Sequence, residues 1–224
     1  MDYITTIMNE NQYLYLPGWL NPAENLRPIA TLVGGGATFL DLPSDKVRTV
    51  PEMADWVAEK IVAPVWIVGH SFGGKVAIAI AAQHPEKVRG IFVVAGSNRG
   101  RLIFRLLRPF IKIARLVTPL GIRRWFRAAD YENSDPIMKR VMAETLRFNI
   151  IPLARRSRLR GNGNKLLSAF IYGAMDRVTR PALGQQLARA ANGKFYELAG
   201  FNHNSIISDG AYQVSAIIKS ITNV

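Results

Sequence analysis

The chain has 224 residues, no cysteine, three histidines and a formal net charge of +13 at pH 7. This length predicts one domain, or one domain with an insertion, large enough to bury a full hydrophobic core. The lack of cysteine excludes disulfides and cysteine-bound metals, and three dispersed histidines argue against a zinc centre, so no metal site is expected.

Apolar runs alternate with helical segments along most of the chain. The predicted strands are 13–16, 37–41, 65–68, 91–95, 166–172 and 194–198, and the predicted helices are 51–61, 73–84, 181–191 and 210–221. Such alternation predicts an α/β fold, in which a mostly parallel sheet is flanked by helices and its strands are joined by right-handed crossovers.

The strand predicted at 65–68 leads directly into Gly69-His70-Ser71-Phe72-Gly73 and then into a helix of small apolar residues. A glycine on either side of the serine allows a sharp turn that brings the helix against the strand. The hydroxyl of Ser71 then stands exposed at the helix N-terminus, as a nucleophile requires. The alternative is a glycine-rich turn in which the serine has no role.

A nucleophilic serine needs a base, and the base needs an acid that orients it. Of the three histidines, His70 lies inside the turn and His84 ends the following helix, so His203, in the loop after strand 194–198, is the candidate base. Asp176 follows strand 166–172 and is the candidate acid, because active sites of α/β folds gather at the carboxyl ends of strands. The alternative for Asp176 is an Asx-turn residue that only shapes its loop.

Positive charge is concentrated between residues 97 and 160, a segment that reads as helical and contains no strand signal. It holds 16 basic and four acidic residues and so carries nearly all of the net charge. Five of the bases are spaced by three or four residues and form one stripe along a predicted helix. The stripe consists of Arg101, Arg105, Arg108, Lys112 and Arg115. A solvated surface is the alternative interpretation.

The chain order Ser71, Asp176, His203, together with the glycine-flanked serine, resembles the α/β-hydrolase superfamily over nearly the whole chain. The resemblance implies a core of residues 1–96 and 161–224, with residues 97–160 inserted after the strand at 91–95 as a helical lid. It also implies an oxyanion hole built from backbone N–H groups. One donor is Phe72, after the serine; the second is Trp19 in Pro17-Gly18-Trp19, since proline has no N–H.

Within this superfamily, the chain most resembles the compact carboxylesterases, including the pimeloyl-[acyl-carrier-protein] methyl ester esterases. The resemblance implies a cytoplasmic serine esterase that uses no cofactor and acts on an acyl ester. A basic lid would attract an acidic acyl carrier protein or an anionic membrane surface, and the second would place the protein at the membrane periphery. No recognition motif for nucleic acid is present, so none is expected as a partner.

Other functions stay open on this sequence. A lipase or lysophospholipase working at a membrane surface, or a thioesterase, would use the same three side chains. A binding protein that has kept the fold without the activity is the alternative outside enzymes, although it would have no need of all three groups.

Overall fold

The computed structural model describes residues 12–97, 136–158 and 164–223. Its strands are β1 (Gln12–Leu16), β2 (Gly36–Phe39), β3 (Val65–His70), β4 (Val88–Val94), β5 (Leu167–Gly173) and β6 (Lys194–Leu198). Among the described residues they form one parallel sheet in the order β2–β1–β3–β4–β5–β6. The predicted fold class is confirmed.

The helices cover both faces of this sheet. They are α1 (Arg27–Val33), α2 (Val50–Ala58), α3 (Phe72–Gln83), α4 (Pro136–Arg147), α5 (Ile151–Arg156), α6 (Pro181–Ala191) and α7 (Ala211–Thr222), with short 3₁₀ helices at Ala23–Leu26 and Pro85–Lys87. Helices α1 and α7 cover one face, whereas α2, α3, α5 and α6 cover the other. Along β1, Tyr13 and Tyr15 point to the first face, and Leu14 and Leu16 to the second. Burial on both faces explains why the strands read as continuous apolar runs.

Each predicted strand and helix lies within a few residues of an observed one. The largest shift at a strand start is at β4, which begins at Val88 instead of residue 91, and α2 ends at Ala58 instead of residue 61. Helix α1 was not predicted, because its seven residues are too few to show a helical period. Its proline lies in the first turn, where the missing N–H costs nothing.

The chain reverses its direction across the sheet between β1 and β3. From β1 it moves outward to β2, then crosses to the other side to form β3 and continues through β6. At such a switch point the loops after the two neighbouring strands diverge and leave a crevice at the carboxyl edge of the sheet. In this chain those two loops are Pro17–Asn21 and the turn at Ser71.

Within segment 97–160 the described residues include helices α4 and α5, which pack on the core. Val141 of α4, Ile150, and Ala154 of α5 are fully buried and join the cluster beneath α3. The basic stripe lies outside the described residues, so it stays a prediction, as does the division into core and lid. Within the described residues, no helix has the length and apolarity needed to cross a bilayer.

A buried lysine joins α3 to the end of α4. Lys75 is fully buried, and its Nζ donates hydrogen bonds to the carbonyl oxygens of Thr145 at 2.5 Å and Phe148 at 3.1 Å. Carbonyls at a helix C-terminus lack partners within the helix and carry partial negative charge, so they accept from an ammonium group. Burial nevertheless lowers the pKa of Lys75 to about 7.

We expect this lysine to make stability rise with pH. Above about pH 7 the folded chain has released the Lys75 proton, whereas the unfolded chain keeps it up to about pH 10.5. Between these values the unfolded state binds more protons, so raising the pH favours the folded state. Relative to Lys75→Met, the free energy of unfolding should gain about 2–3 kcal/mol between pH 6 and pH 9. Urea unfolding of both proteins at both pH values measures this gain; a difference independent of pH would contradict it.

Candidate active site

Ser71 occupies a sharp turn between β3 and α3. Its backbone has φ 51° and ψ −107°, a strained conformation for a residue with a side chain. The flanking glycines permit the turn: a Cβ on Gly69 would lie 2.4 Å from the carbonyl oxygen of Gly73, and a Cβ on Gly73 would lie 2.3 Å from that of Leu16. Both obstacles are backbone atoms that cannot move aside. The geometry is that of the nucleophile elbow inferred from the sequence.

The three predicted side chains converge at the carboxyl edge of the sheet, from the loops after β3, β5 and β6. His203 Nε2 lies 3.0 Å from Ser71 Oγ, and His203 Nδ1 lies 2.8 Å from Asp176 Oδ2. Asp176 is 3% exposed, and the His203 side chain is 14% exposed. The arrangement therefore links a serine hydroxyl, an imidazole and a buried carboxylate in one chain of hydrogen-bonded groups.

Asp176 has a partner for each carboxylate oxygen. Oδ1 accepts from the backbone N–H groups of Val178 and Thr179, both at 2.7 Å, while Oδ2 faces His203 and the hydroxyl of Thr179. Burial by itself would raise the pKa of Asp176, but the hydrogen bond and charge of His203, with the bonds from Thr179, hold it below its usual value. The carboxyl is therefore ionised at neutral pH. The same side chain also shapes its loop through the two bonds to Oδ1, as an Asx-turn residue does.

Two residues of this network were not identified from the sequence. Thr179 Oγ1 lies 2.8 Å from Asp176 Oδ2, 2.9 Å from the carbonyl oxygen of Ala95 and 3.2 Å from His203 Nδ1. Tyr172 donates its hydroxyl to the carbonyl oxygen of Gly96 at 2.6 Å, which ties the loop after β4 to β5. A threonine three residues after a candidate acid is a signal that could have been read, because Asp and Thr form local hydrogen bonds at that spacing.

The other two histidines lie where the sequence placed them, His70 inside the elbow and His84 at the end of α3. His84 caps the C-terminus of α3, and its Nε2 lies 2.7 Å from Asp55 Oδ1. His70 is buried beneath the elbow, with Nε2 3.0 Å from the carbonyl oxygen of His203. Burial, with the nearby charge of His203, lowers the pKa of His70 to about 4, so this ring is neutral at physiological pH.

The loop that carries Trp19 lies against the elbow. The Gly73 N–H donates to the carbonyl oxygen of Pro17 at 2.9 Å, and a Cβ on Gly18 would come within 3.5 Å of Ser71 Cβ. Phe72 is the first residue of α3, where the backbone N–H has no partner within the helix. Both predicted donor residues, Trp19 and Phe72, thus belong to segments that adjoin Ser71.

A cavity of about 110 Å³ opens beside these segments, at the crevice of the switch point. Its lining combines the loops 17–21 and 41–44 with Met53, Phe72 and Val141. Asp41 fixes one wall, because its Oδ1 accepts a hydrogen bond from the backbone N–H of Ala23 at 2.6 Å. A mostly apolar cavity lined by Phe72, the residue that follows Ser71, fits the acyl or alkyl part of an ester.

Comparisons with known proteins agree with this geometry. The family model described as the alpha/beta hydrolase family matches residues 14–211. A pimeloyl-[acyl-carrier protein] methyl ester esterase of Neisseria meningitidis serogroup B is 26% identical over 186 residues, which span 68% of this chain and 67% of that protein. These findings support the sequence-based prediction of a carboxylic ester hydrolase.

Solved structures share the fold at lower sequence identity. A hydrolase from Oleispira antarctica is 16% identical with a TM-score of 0.73, over 98% of this chain and 93% of its own. An esterase from Thermogutta terrifontis is 16% identical with a TM-score of 0.62, over 96% of this chain and 90% of its own. With the family match over most of its length, the chain belongs to the alpha/beta hydrolase family.

Proposed function

We propose that the protein is a serine esterase that cleaves a carboxylic ester through an acyl-enzyme. The observation that carries the proposal is the continuous contact from Ser71 Oγ through the His203 ring to Asp176 Oδ2, with distances of 3.0 and 2.8 Å. Each group has the environment its role needs: the serine is at a helix N-terminus, the imidazole is partly accessible and the carboxylate is buried and ionised.

In the proposed reaction, His203 Nε2 takes the proton of Ser71 as Oγ attacks the ester carbonyl carbon. Asp176 holds the tautomer that carries its proton on Nδ1 and stabilises the imidazolium that forms. His203 then gives the proton to the departing alkoxide, and the alcohol leaves. Water, deprotonated by the same ring, attacks the acyl-enzyme and releases the carboxylic acid.

Negative charge on the carbonyl oxygen is received by two backbone N–H groups in this proposal, those of Phe72 and Trp19. The N-terminus of α3 favours negative charge, and the hydrogen bond from Gly73 to Pro17 keeps the Trp19 loop against that helix. Since the donors are backbone groups in segments already held in place, little reorganisation is needed when the charge appears.

For the substrate, we propose an ester attached to an acyl carrier protein, with a methyl ester as the first candidate. Two observations support it: the relative from Neisseria meningitidis is named for such a substrate, and the segment 97–160 carries 16 basic residues against four acidic ones. Acidic carriers are attracted by such a surface, which raises their rate of encounter. A membrane lipase, a lysophospholipase or a thioesterase would share the same three side chains.

A panel of esters tests this proposal. The purified protein is given p-nitrophenyl esters of increasing acyl length, a carrier-linked methyl ester, the matching acyl thioester and anionic vesicles that contain lysophospholipid. We expect the carrier-linked methyl ester to have the highest kcat/KM. A preference for the thioester or the vesicles would replace the proposed substrate with one of the alternatives, and failure to cleave any ester would contradict the esterase itself.

The basic stripe should raise the rate of hydrolysis only for substrates that an acidic partner presents. We expect the triple variant Arg101→Glu, Arg105→Glu, Arg108→Glu to lose about ten-fold or more in kcat/KM for the carrier-linked ester, since reversed charges repel an acidic carrier. Hydrolysis of p-nitrophenyl acetate should change less than two-fold. Raising the salt concentration should weaken carrier-linked activity alone, because exposed charges are screened over roughly 8 Å at physiological salt.

The control for this variant reverses the same amount of charge elsewhere. Lys165, Lys194 and Lys219 are exposed and lie outside the cavity lining, so their triple change to glutamate matches the change in net charge. Equal losses in both triple variants would mean that only total charge matters. Equal losses on the carrier-linked and the small ester would mean that the stripe is an ordinary solvated face.

A further inference from the structure

His70 contacts the backbone of the histidine that the proposed function uses as base. Its Nε2 lies 3.0 Å from the carbonyl oxygen of His203, and the two ring centroids are 5.0 Å apart. A carbonyl oxygen can only accept, so His70 Nε2 carries the proton and donates it. The neutral ring, whose pKa burial lowers to about 4, therefore has its unprotonated nitrogen at Nδ1.

The same ring touches the loop on the other side of the serine. A Cβ placed on Gly18 would lie 3.2 Å from His70 Nδ1, so this side of the imidazole packs directly against the Pro17–Trp19 loop. A larger residue at position 18 would press on the ring. His70 thus lies between the loop of the base and the loop of one proposed oxyanion donor, while the next residue in the chain is the nucleophile.

The hydrogen bond from His70 connects two segments whose separation is not fixed by strand pairing within the sheet. His203 lies in a loop beyond β6, the edge strand, whereas His70 ends β3 in the middle of the sheet. The ring of His203 is held by Asp176 and Thr179, but its own backbone carbonyl is held by His70. A fixed distance from Ser71 to His203 needs both anchors, because a misplacement of about 1 Å can cost about 100-fold in rate.

We propose that His70 is a positioning residue: its hydrogen bond to the His203 carbonyl holds the base within reach of Ser71. This inference rests on the proposed function, in which His203 is the base. The neutral state of His70 fits the role, since the His203 imidazolium formed during the reaction then has an uncharged ring beside it. The charged or titratable groups that act on His70 are His203 and Asp176.

Three substitutions distinguish the effect of the His70 hydrogen bond from the effect of the volume that its ring fills. His70→Gln keeps a donor at the position of Nε2, because the Gln amide nitrogen is as many bonds from Cα as His Nε2 is. His70→Leu fills similar volume without a donor, and His70→Asn keeps the amide but is too short to reach. We expect kcat to fall about 10- to 100-fold in the Leu and Asn variants. In His70→Gln it should stay within about five-fold of the unmodified protein, and KM should change less than two-fold in each variant.

Labelling by a fluorophosphonate gives a second readout that needs no substrate binding. It should slow in parallel with kcat in the Leu and Asn variants and recover in His70→Gln. His84→Leu serves as the control, since His84 lies at the far end of α3 and should leave kcat within two-fold. Thermal unfolding midpoints distinguish positioning from folding, because a purely structural role would make activity follow the midpoint.

Several results would overturn the proposal. Equal activity in the Gln and Leu variants would show that the hydrogen bond does not matter; if the Leu variant does not fold, the Gln and Asn variants decide the same question. Failure of all three to fold would make His70 a folding residue. An unmodified protein that hydrolyses esters and labels at Ser71, with kcat unaffected by His70→Leu, would contradict this inference while the proposed esterase stands.

Discussion

Replacement of Ser71 by alanine is expected to lower kcat for ester hydrolysis by a factor on the order of 10⁶, as loss of the nucleophile does in a serine protease. The reason is that His203 and the oxyanion donors can then act only on water, without a covalent intermediate. The fold should be unchanged, because alanine places the same Cβ in the backbone conformation that serine already adopts at φ 51°. Hydrolysis of a p-nitrophenyl ester, followed beside circular dichroism, measures both outcomes.

Two further measurements make this test specific. A fluorophosphonate should label the unmodified protein once per chain and leave Ser71→Ala unlabelled. The control is Ser220→Ala, on the exposed face of α7, which should keep full activity and full labelling. If Ser71→Ala keeps near-normal rates, the acyl-enzyme mechanism is wrong, and a binding protein that has kept the fold becomes the better explanation.

The elbow could be predicted from the sequence because its signal is local and steric. Only glycine can stand at positions 69 and 73, where a Cβ would meet backbone atoms, so two glycines around a serine after a buried strand specify the turn. Asp176 and His203 could be predicted because parallel strands bring the loops at their carboxyl ends to one edge of the sheet. The Trp19 loop was expected near the serine on a different ground, the resemblance to α/β-hydrolases and their oxyanion hole.

Contacts between loops could not be predicted in the same way. The hydrogen bond from His70 to His203 joins residues 133 positions apart. No sequence pattern indicates which backbone carbonyl will accept a hydrogen bond from a buried imidazole. Lys75 is a similar case, because a lysine in an apolar helix is expected to lie at the surface. Only the packing of α4 shows that its Nζ donates to the carbonyl oxygens of Thr145 and Phe148. Such contacts depend on tertiary packing rather than on local propensity.

Replacement of Asp176 by asparagine should lower kcat by about 10⁴-fold without unfolding the protein, as the equivalent change does in a serine protease. Two backbone N–H groups, those of Val178 and Thr179, donate to Oδ1, so the asparagine must place its oxygen there. Its NH₂ group then occupies the position of Oδ2 and faces His203 Nδ1, 2.8 Å away in the unmodified protein. A donor at this position forces the imidazole to carry its proton on Nε2, where it can no longer accept the proton of Ser71.

The matched control for this substitution is Asp209→Asn, at an exposed position outside the hydrogen bonds of the site, which should keep full activity. His203→Ala should lose at least as much activity as Asp176→Asn, because it removes the base itself and not only its orientation. The pH dependence distinguishes a wrong tautomer from a lost charge: a neutral imidazole that carries its proton on Nε2 cannot accept the proton of Ser71 at any pH, so Asp176→Asn should stay impaired at pH 9. Full recovery at high pH would mean that Asp176 acts mainly through its charge. A silent Asp176→Asn, with another carboxylate proving essential, would show that the acid has been assigned to the wrong loop.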